Sequence, residues 1–261
     1  MRRASICLAV FGLALLAFTG VASAAPTVTL KAEAVPIEGY PHTGNILGAG
    51  AAVKAEYNIT GEEYGGFPPP LIGVTFYLPS GTKLHTQGFK TCPLSELEPA
   101  GKGPSGCPKG SAAGPVGKVL GIVSFGKERV PEEATLESFY AAGGGLEFFT
   151  AGHSPVSLEI LSSGKYVNLN GGGGYGPELV ASVPLVETVP GADDASVEKI
   201  SVKVGSARGP KNPKKAIYYG RLPKKCPKGG FPVKSVLTFA GLGGLTEQSV
   251  TATYKAPCPK H

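Results

Sequence analysis

Along most of this chain apolar and polar residues alternate with a period of two, the spacing that puts every second side chain on one face of a β-strand. Thr27 to Val35, TVTLKAEAV, opens the pattern. In Ala51 to Ile59, AAVKAEYNI, the residues Val53, Ala55, Tyr57 and Ile59 fall on one face, which predicts a half-buried strand. Leu71 to Leu78, LIGVTFYL, predicts another, ended by the turn Pro79-Ser80-Gly81. Val116 to Phe125, Thr135 to Tyr140, Leu146 to Thr150, Val156 to Leu161 and Tyr166 to Leu169 follow, the last two parted by a turn at Ser162 to Gly164. Leu179 to Val189, Val197 to Val204, Ile217 to Tyr219, Val233 to Phe239 and Val250 to Tyr254 complete the series. Leu94 to Leu97 has room for one helical turn.

No long segment carries a helical period, and 39 Gly and 24 Pro work against helices. About a dozen short strands punctuated by Gly and Pro predict an all-β fold, an antiparallel β-sandwich of immunoglobulin-like or jelly-roll-like type. Lys127 to Glu133 is charged and carries Pro131, so the neighbourhood of 127–134 is the candidate boundary if the sandwich divides into two packed lobes. The tetrapeptide CPKG occurs at Cys107 to Gly110 and again at Cys226 to Gly229, too short a match to establish a repeat.

The first 24 residues stand apart from this pattern. Arg2 and Arg3 precede an apolar run, Ile6 to Phe18, too short to cross a bilayer, and Ala22-Ser23-Ala24 is a small-residue cleavage signal. Together they predict a secretory signal peptide over 1–24, cut after Ala24, and a secreted protein over 25–261. Cys7 would leave with it. Four cysteines then remain, an even number in an oxidising compartment, which predicts two disulfides. Three pairings are open; Cys92–Cys107 and Cys226–Cys258 are favoured because each closes a local segment. Each of these cysteines is followed by proline, which holds the preceding residue extended and suits a structural bridge better than a redox thiol. No cysteine pair has C-x-x-C spacing and His42, His85, His153 and His261 are scattered, so no metal is expected.

The motifs that carry chemistry are weak. Only Asp193 and Asp194 supply aspartate for a serine triad, and Gly152-His153-Ser154-Pro155-Val156 lacks the closing glycine of a nucleophile elbow. Ser80/Lys83 and Ser162/Lys165 match Ser-x-x-Lys, but both lysines fall in glycine-containing turns where water keeps them charged. Gly171, Gly173 and Gly176 match a dinucleotide fingerprint, yet a β-pattern follows where a helix is required. Glu62-Glu63 and Glu132-Glu133 are adjacent carboxylates, which a strand would send to opposite faces. There is no Trp to stack on sugars, though ten Tyr remain. No catalytic set and no cofactor is expected.

The net charge is +6, two units of which belong to Arg2 and Arg3. From Arg208 to Lys228 the chain carries Arg208, Lys211, Lys214, Lys215, Arg221, Lys224, Lys225 and Lys228 with no acid, and with Tyr218 and Tyr219 interleaved. Such a run attracts polyanions by counterion release. It reads either as a site for a cell-wall polymer or acidic polysaccharide, with no specific nucleic acid, or as a solvated loop.

The runs GPSGCPKGS, VPLVETVPGADDASVEKISVKVG and LPKKCPKGGFPVKS with the tail YKAPCP resemble a group of secreted, β-rich proteins of soil actinobacteria. The resemblance implies export, disulfides and a β fold, and hands over no catalytic residue. With no catalytic set and two expected disulfides, function is expected to be non-enzymatic: a structural or binding β-sandwich outside the cell or at its envelope. The alternatives are a polyanion- or glycan-binding module using 208–228, and a hydrolase of unrecognised type.

Overall fold

A computed structural model describes residues 25–40, 47–98, 100–125, 127–168, 170, 172–212 and 214–259. The expected signal peptide, residues 1–24, lies outside them. The fold is all-β. Its strands are β1 (Thr27–Val35), β2 (Ala52–Thr60), β3 (Leu71–Pro79), β4 (Lys83–Leu84), β5 (Gly117–Phe125), β6 (Glu128–Tyr140), β7 (Leu146–Gly152), β8 (Leu158–Val167), β9 (Tyr175–Ser182), β10 (Ser196–Val204), β11 (Ala207–Arg208), β12 (Ile217–Tyr218), β13 (Gly220–Arg221), β14 (Phe231–Phe239) and β15 (Gln248–Ala256). The helical turn α1 (Leu94–Leu97) lies where its sequence placed it.

Eleven of these strands form one antiparallel sheet in the order β1-β2-β10-β5-β6-β7-β8-β9-β3-β14-β15. The ladder therefore does not divide into the two facing sheets of the expected sandwich. Instead the sheet curls until β1 lies beside β15, nearly closing as a barrel. Period-two alternation is the same in a sandwich and a barrel, so the sequence pattern had no means of separating them. Strand number then decides how the barrel closes. With eleven strands each antiparallel to its neighbour, the first and the last run in the same direction, and the alternation cannot be completed. No ladder joins β1 to β15 among the described residues; Leu30 and Ala32 join Ala252 and Ala256 in the buried cluster there.

One further departure is local. The turn expected at Ser162 to Gly164 is the middle of β8, where Phe148 faces Ser162 and Leu146 faces Gly164. A Cβ on Gly164 would come within 3.0 Å of a Leu179 methyl, so this glycine makes room for an inward leucine rather than turning the chain. The segment 127–134 lies in the β5–β6 hairpin, with Phe125 opposite Glu128 and β6 laddered to β7 on its other side.

Both favoured disulfides are present, Cys92–Cys107 and Cys226–Cys258. The first staples the loop between β4 and β5 against the outside of the barrel, where Cys92 and Leu97 cover the outward-facing Phe139, Phe149 and Ala151. That explains why the outer face of β6 and β7 carries two phenylalanines. The second ties the segment before β14 to the chain after β15, closing a loop around that hairpin.

Candidate functional site

Inward positions follow from register. Leu30 faces Tyr57, which faces Ile200; Ala32 faces Ala55, which faces Val202. Outward positions between them are Lys31, Glu33, Lys54, Glu56, Lys199 and Lys203. On this side the outer face is charged and the inner face apolar, the reverse of a membrane-spanning barrel, whose lipid face is apolar and lumen polar. No helix among the described residues is long and apolar enough to cross a membrane. The two disulfides point to an oxidising, extracellular environment.

A barrel of about eight strands is one that side chains can just fill from within. Eleven enclose a wider lumen, and many residues that face it are short: Ala32, Ala34, Val53, Ala55, Val74, Ala181 and Val202. The result is a cavity of about 240 Å³ lined on every second residue of the strands, among them Phe76 and Leu78 of β3, Phe148 and Thr150 of β7, Ile160 and Ser162 of β8, and Ile200 of β10. Val53, Val74, Val119, Phe148, Ile160, Leu179, Ile200 and Val202 point inward yet are only half-buried. Space beyond them is unfilled.

Polar groups in the lumen are few and mostly spoken for. Tyr57 donates to Ser235 Oγ at 3.1 Å, and Ser235 Oγ donates to the Thr75 carbonyl at 3.2 Å. At the end of the barrel where β1 finishes, Phe89, Tyr140, Tyr166 and Tyr219 stack with ring centroids 4.3 to 6.2 Å apart. The Tyr219 hydroxyl donates to the Gly144 carbonyl at 3.1 Å, and Tyr140 shares a 2.6 Å hydrogen bond with Ser206. Burial pushes the Tyr140 hydroxyl up to about 12, and it drives Tyr57, Tyr166 and Tyr219 higher still. These groups stay neutral at any physiological pH. Beside this aromatic plug the lining continues through Pro79, Thr82, Leu84 and Leu222 to the exposed Arg221, which marks the mouth.

At the opposite end Arg129 lies over the rings of Tyr64 and Phe67, at 4.9 and 5.0 Å. It donates to the Tyr64 carbonyl and to Ser196 Oγ, both at 2.8 Å. Glu132, inward-facing and 1% exposed, accepts the backbone N–H of Ser154 at 3.1 Å and of Val156 at 3.2 Å, pinning the β7–β8 loop. Its neighbour Glu133 is exposed on the outer face, so this adjacent pair is indeed split by the strand.

The basic run wraps the mouth end without forming one surface with its tyrosines. Lys211, Lys214, Lys215, Lys224, Lys225 and Lys228 are exposed, while Tyr218 and Tyr219 are each 2% exposed and belong to the core. Arg208 lies over Phe89 at 5.6 Å and Arg221 over Tyr218 at 5.3 Å. The candidate chemistry is dispersed. Ser162 faces the lumen and Lys165 faces out. Among the described residues no hydrogen bond or ion pair joins the side chain of His85 or His153 to a carboxylate or hydroxyl; His42 and His261 lie outside them. Gly173 and Gly174, both with positive φ, turn the chain between β8 and β9 as a hairpin; Gly171 lies outside the described residues.

Sequence reasoning missed the lumen altogether. The signal was present in the inward positions of β1, β2 and β10, which hold many Ala and Val, but it has meaning only once eleven strands are known to share one sheet. No protein-family model, curated protein or solved structure matches this chain, so the resemblance to secreted actinobacterial proteins rests on the quoted sequence runs alone.

Proposed function

We propose that this chain is a non-enzymatic, exported binding protein whose barrel lumen holds a small apolar molecule. The observation that carries the reading is the set of inward Val, Ile, Leu and Phe side chains left half-buried around about 240 Å³ of empty space. Protein interiors normally pack to the density of organic crystals, and an apolar void of this size forfeits dispersion contacts along its whole lining. A ligand restores them. Mostly apolar walls with a few polar groups are the usual make-up of a small-molecule site. Export is supported by the leader-like segment 1–24 and by the two disulfides.

The test is titration with the neutral fluorophore N-phenyl-1-naphthylamine, which brightens in apolar surroundings. Saturable enhancement by the wild type, abolished when Ala181→Leu and Val202→Phe fill the lumen, is the expected result. No enhancement, or equal enhancement in the filled variant, would sink the reading.

A second reading uses the outside of the same end. The six exposed lysines from Lys211 to Lys228 enter no salt bridge among the described residues, which leaves them open to a polyanionic cell-wall polymer or acidic polysaccharide. Retention on heparin that persists after Lys214, Lys215, Lys224 and Lys225 all become Gln rules this patch out.

A further inference from the structure

Two hydroxyl-bearing residues stand close together on the wall of the lumen. On the face of β7 and β8 that lines the cavity, Phe148 is opposite Ser162 and Thr150 is opposite Ile160, so Thr150 and Ser162 are diagonal neighbours. Diagonal neighbours on one face have Cβ atoms roughly 7 Å apart. The lining around them is apolar: Phe148, Ile160 and Leu136, which faces Thr150 from β6. Neither hydroxyl enters a hydrogen bond among the described residues. A third lining hydroxyl, that of Thr82 nearer the mouth, is buried and likewise has no partner. Among the described residues of the lining only Glu33 and Arg221 are charged, and both are exposed and engaged: Glu33 pairs with Lys54 at 3.7 Å, and Arg221 lies over the Tyr218 ring at 5.3 Å.

From this juxtaposition we infer that the ligand is an uncharged hydrocarbon bearing a carbonyl group, whose oxygen accepts hydrogen bonds from Thr150 and Ser162. The inference rests on the reading of the lumen as a binding site and names the class of molecule it takes. Bringing an ionised group between apolar walls with no counter-charge costs far more than bringing in a neutral oxygen. A bare hydrocarbon would leave both hydroxyls idle, and polar groups shut away from water without a partner are costly. A carbonyl oxygen has two lone pairs and meets both donors at once. Volume sets the size. An apolar cavity of about 150 Å³ holds benzene, so 240 Å³ suits a molecule of roughly ten carbons.

Three ten-carbon molecules, 2-decanone, butylbenzene and decanoate held ionised at mildly alkaline pH, compete against N-phenyl-1-naphthylamine. For the wild type the ketone is expected to displace the probe at about a tenth of the decanoate concentration or less. Thr150→Val with Ser162→Ala removes both hydroxyls and hardly alters the volume. In that variant the ratio of ketone to butylbenzene affinity should fall about tenfold, and binding of the fluorophore reports that it is folded. If the pair variant does not hold the fluorophore, Thr150→Val and Ser162→Ala made singly should each lower the ratio. Decanoate that binds as tightly as the ketone overturns the uncharged class. A ratio that stays at the wild-type value, or that falls in Thr82→Val instead, overturns the assignment to Thr150 and Ser162. Either result leaves the apolar lumen standing, whereas failure of the wild type to bind the fluorophore overturns the lumen reading and the inference with it.

Discussion

The Tyr57 hydroxyl donates a 3.1 Å hydrogen bond to Ser235 Oγ across the inside of the seam where β1 and β15 lie side by side, with no ladder between them among the described residues. Tyr57 is on β2 and Ser235 on β14, the strands next to each end of the sheet, so this bond bridges the seam from within. Tyr57→Phe keeps the ring and deletes the bridge. Ser235 keeps its bond to the Thr75 carbonyl, so no buried donor is stranded and the cost is about 1 kcal/mol. The expected outcome is a lowered urea midpoint with an unchanged slope, and faster amide exchange confined to β1 and β15. Exchange that quickens equally in every strand would show that the bond does not hold the seam.

The two disulfides enclose 15 and 32 residues of sequence separation. On the chain-entropy relation their loss costs about 3 and about 4 kcal/mol respectively. Their structural consequences differ. Cys92→Ser with Cys107→Ser loosens the cover over Phe139 and Phe149 and exposes apolar surface on the barrel wall, so increased binding of a hydrophobic dye accompanies the loss of stability. Cys226→Ser with Cys258→Ser frees the segment before β14 from the chain after β15, far from that cover, and dye binding at the wall stays as in the wild type. Denaturation of each pair variant with fluorescence in parallel checks both.

The all-β class, most strand positions, the single turn at Leu94 to Leu97 and both cysteine pairings were legible because each depends on local information. Period-two alternation reports a strand whatever it pairs with, and a short cysteine loop closes locally whatever lies beneath it. What escaped is what depends on strands distant in sequence. The strand order inserts β10 between β2 and β5 and lays β3 beside β9 and β14, and nothing in the alternation of Val53, Ala55 and Tyr57 names those neighbours. Gly164 read as a turn because a glycine beside two serines resembles one, whereas its role is to leave space for Leu179. The sequence shows Tyr218 and Tyr219 interleaved with the lysines and does not say which way they face; both are buried, Tyr219 in the aromatic plug and Tyr218 against Ile37, Ala52 and Ala216.

Burial raises the hydroxyl pKa of Tyr140 to about 12 and lifts Tyr57, Tyr166 and Tyr219 further, whereas in the unfolded chain all four ionise near 10. The folded form therefore holds these protons where the unfolded form has released them. Stability rises with pH only where the unfolded state binds more protons, and here it binds fewer, so stability is full below about pH 10 and falls as pH climbs beyond it. Ultraviolet titration of tyrosinate in the native protein should leave these residues un-ionised at pH 10, then release them together in one cooperative step as the barrel opens. Smooth ionisation of all ten tyrosines around their ordinary value would contradict the packing of the plug.

Arg129 closes the end of the barrel remote from the mouth. Its guanidinium lies over the rings of Tyr64 and Phe67 and donates to the Tyr64 carbonyl and Ser196 Oγ, fastening the β2–β3 loop to the start of β10. Desolvation lowers its pKa, yet arginine ionises so far above neutrality that it remains a cation here. A planar fork is what this geometry uses: two donors in different directions and a flat face for two rings. Arg129→Lys keeps the charge and loses the fork, so most of the effect of Arg129→Ala, about 2 kcal/mol, should already appear in the lysine variant. If the lumen carries a ligand that enters at the Arg221 mouth, opening this far end adds a second route. Both variants should then release a bound fluorophore faster than the wild type, while Lys214→Gln, made at an exposed position of the basic run, leaves the release rate unchanged. Stopped-flow displacement measures the three rates, and a release rate in Arg129→Ala equal to that of the wild type would mean that this end is not a barrier to exchange.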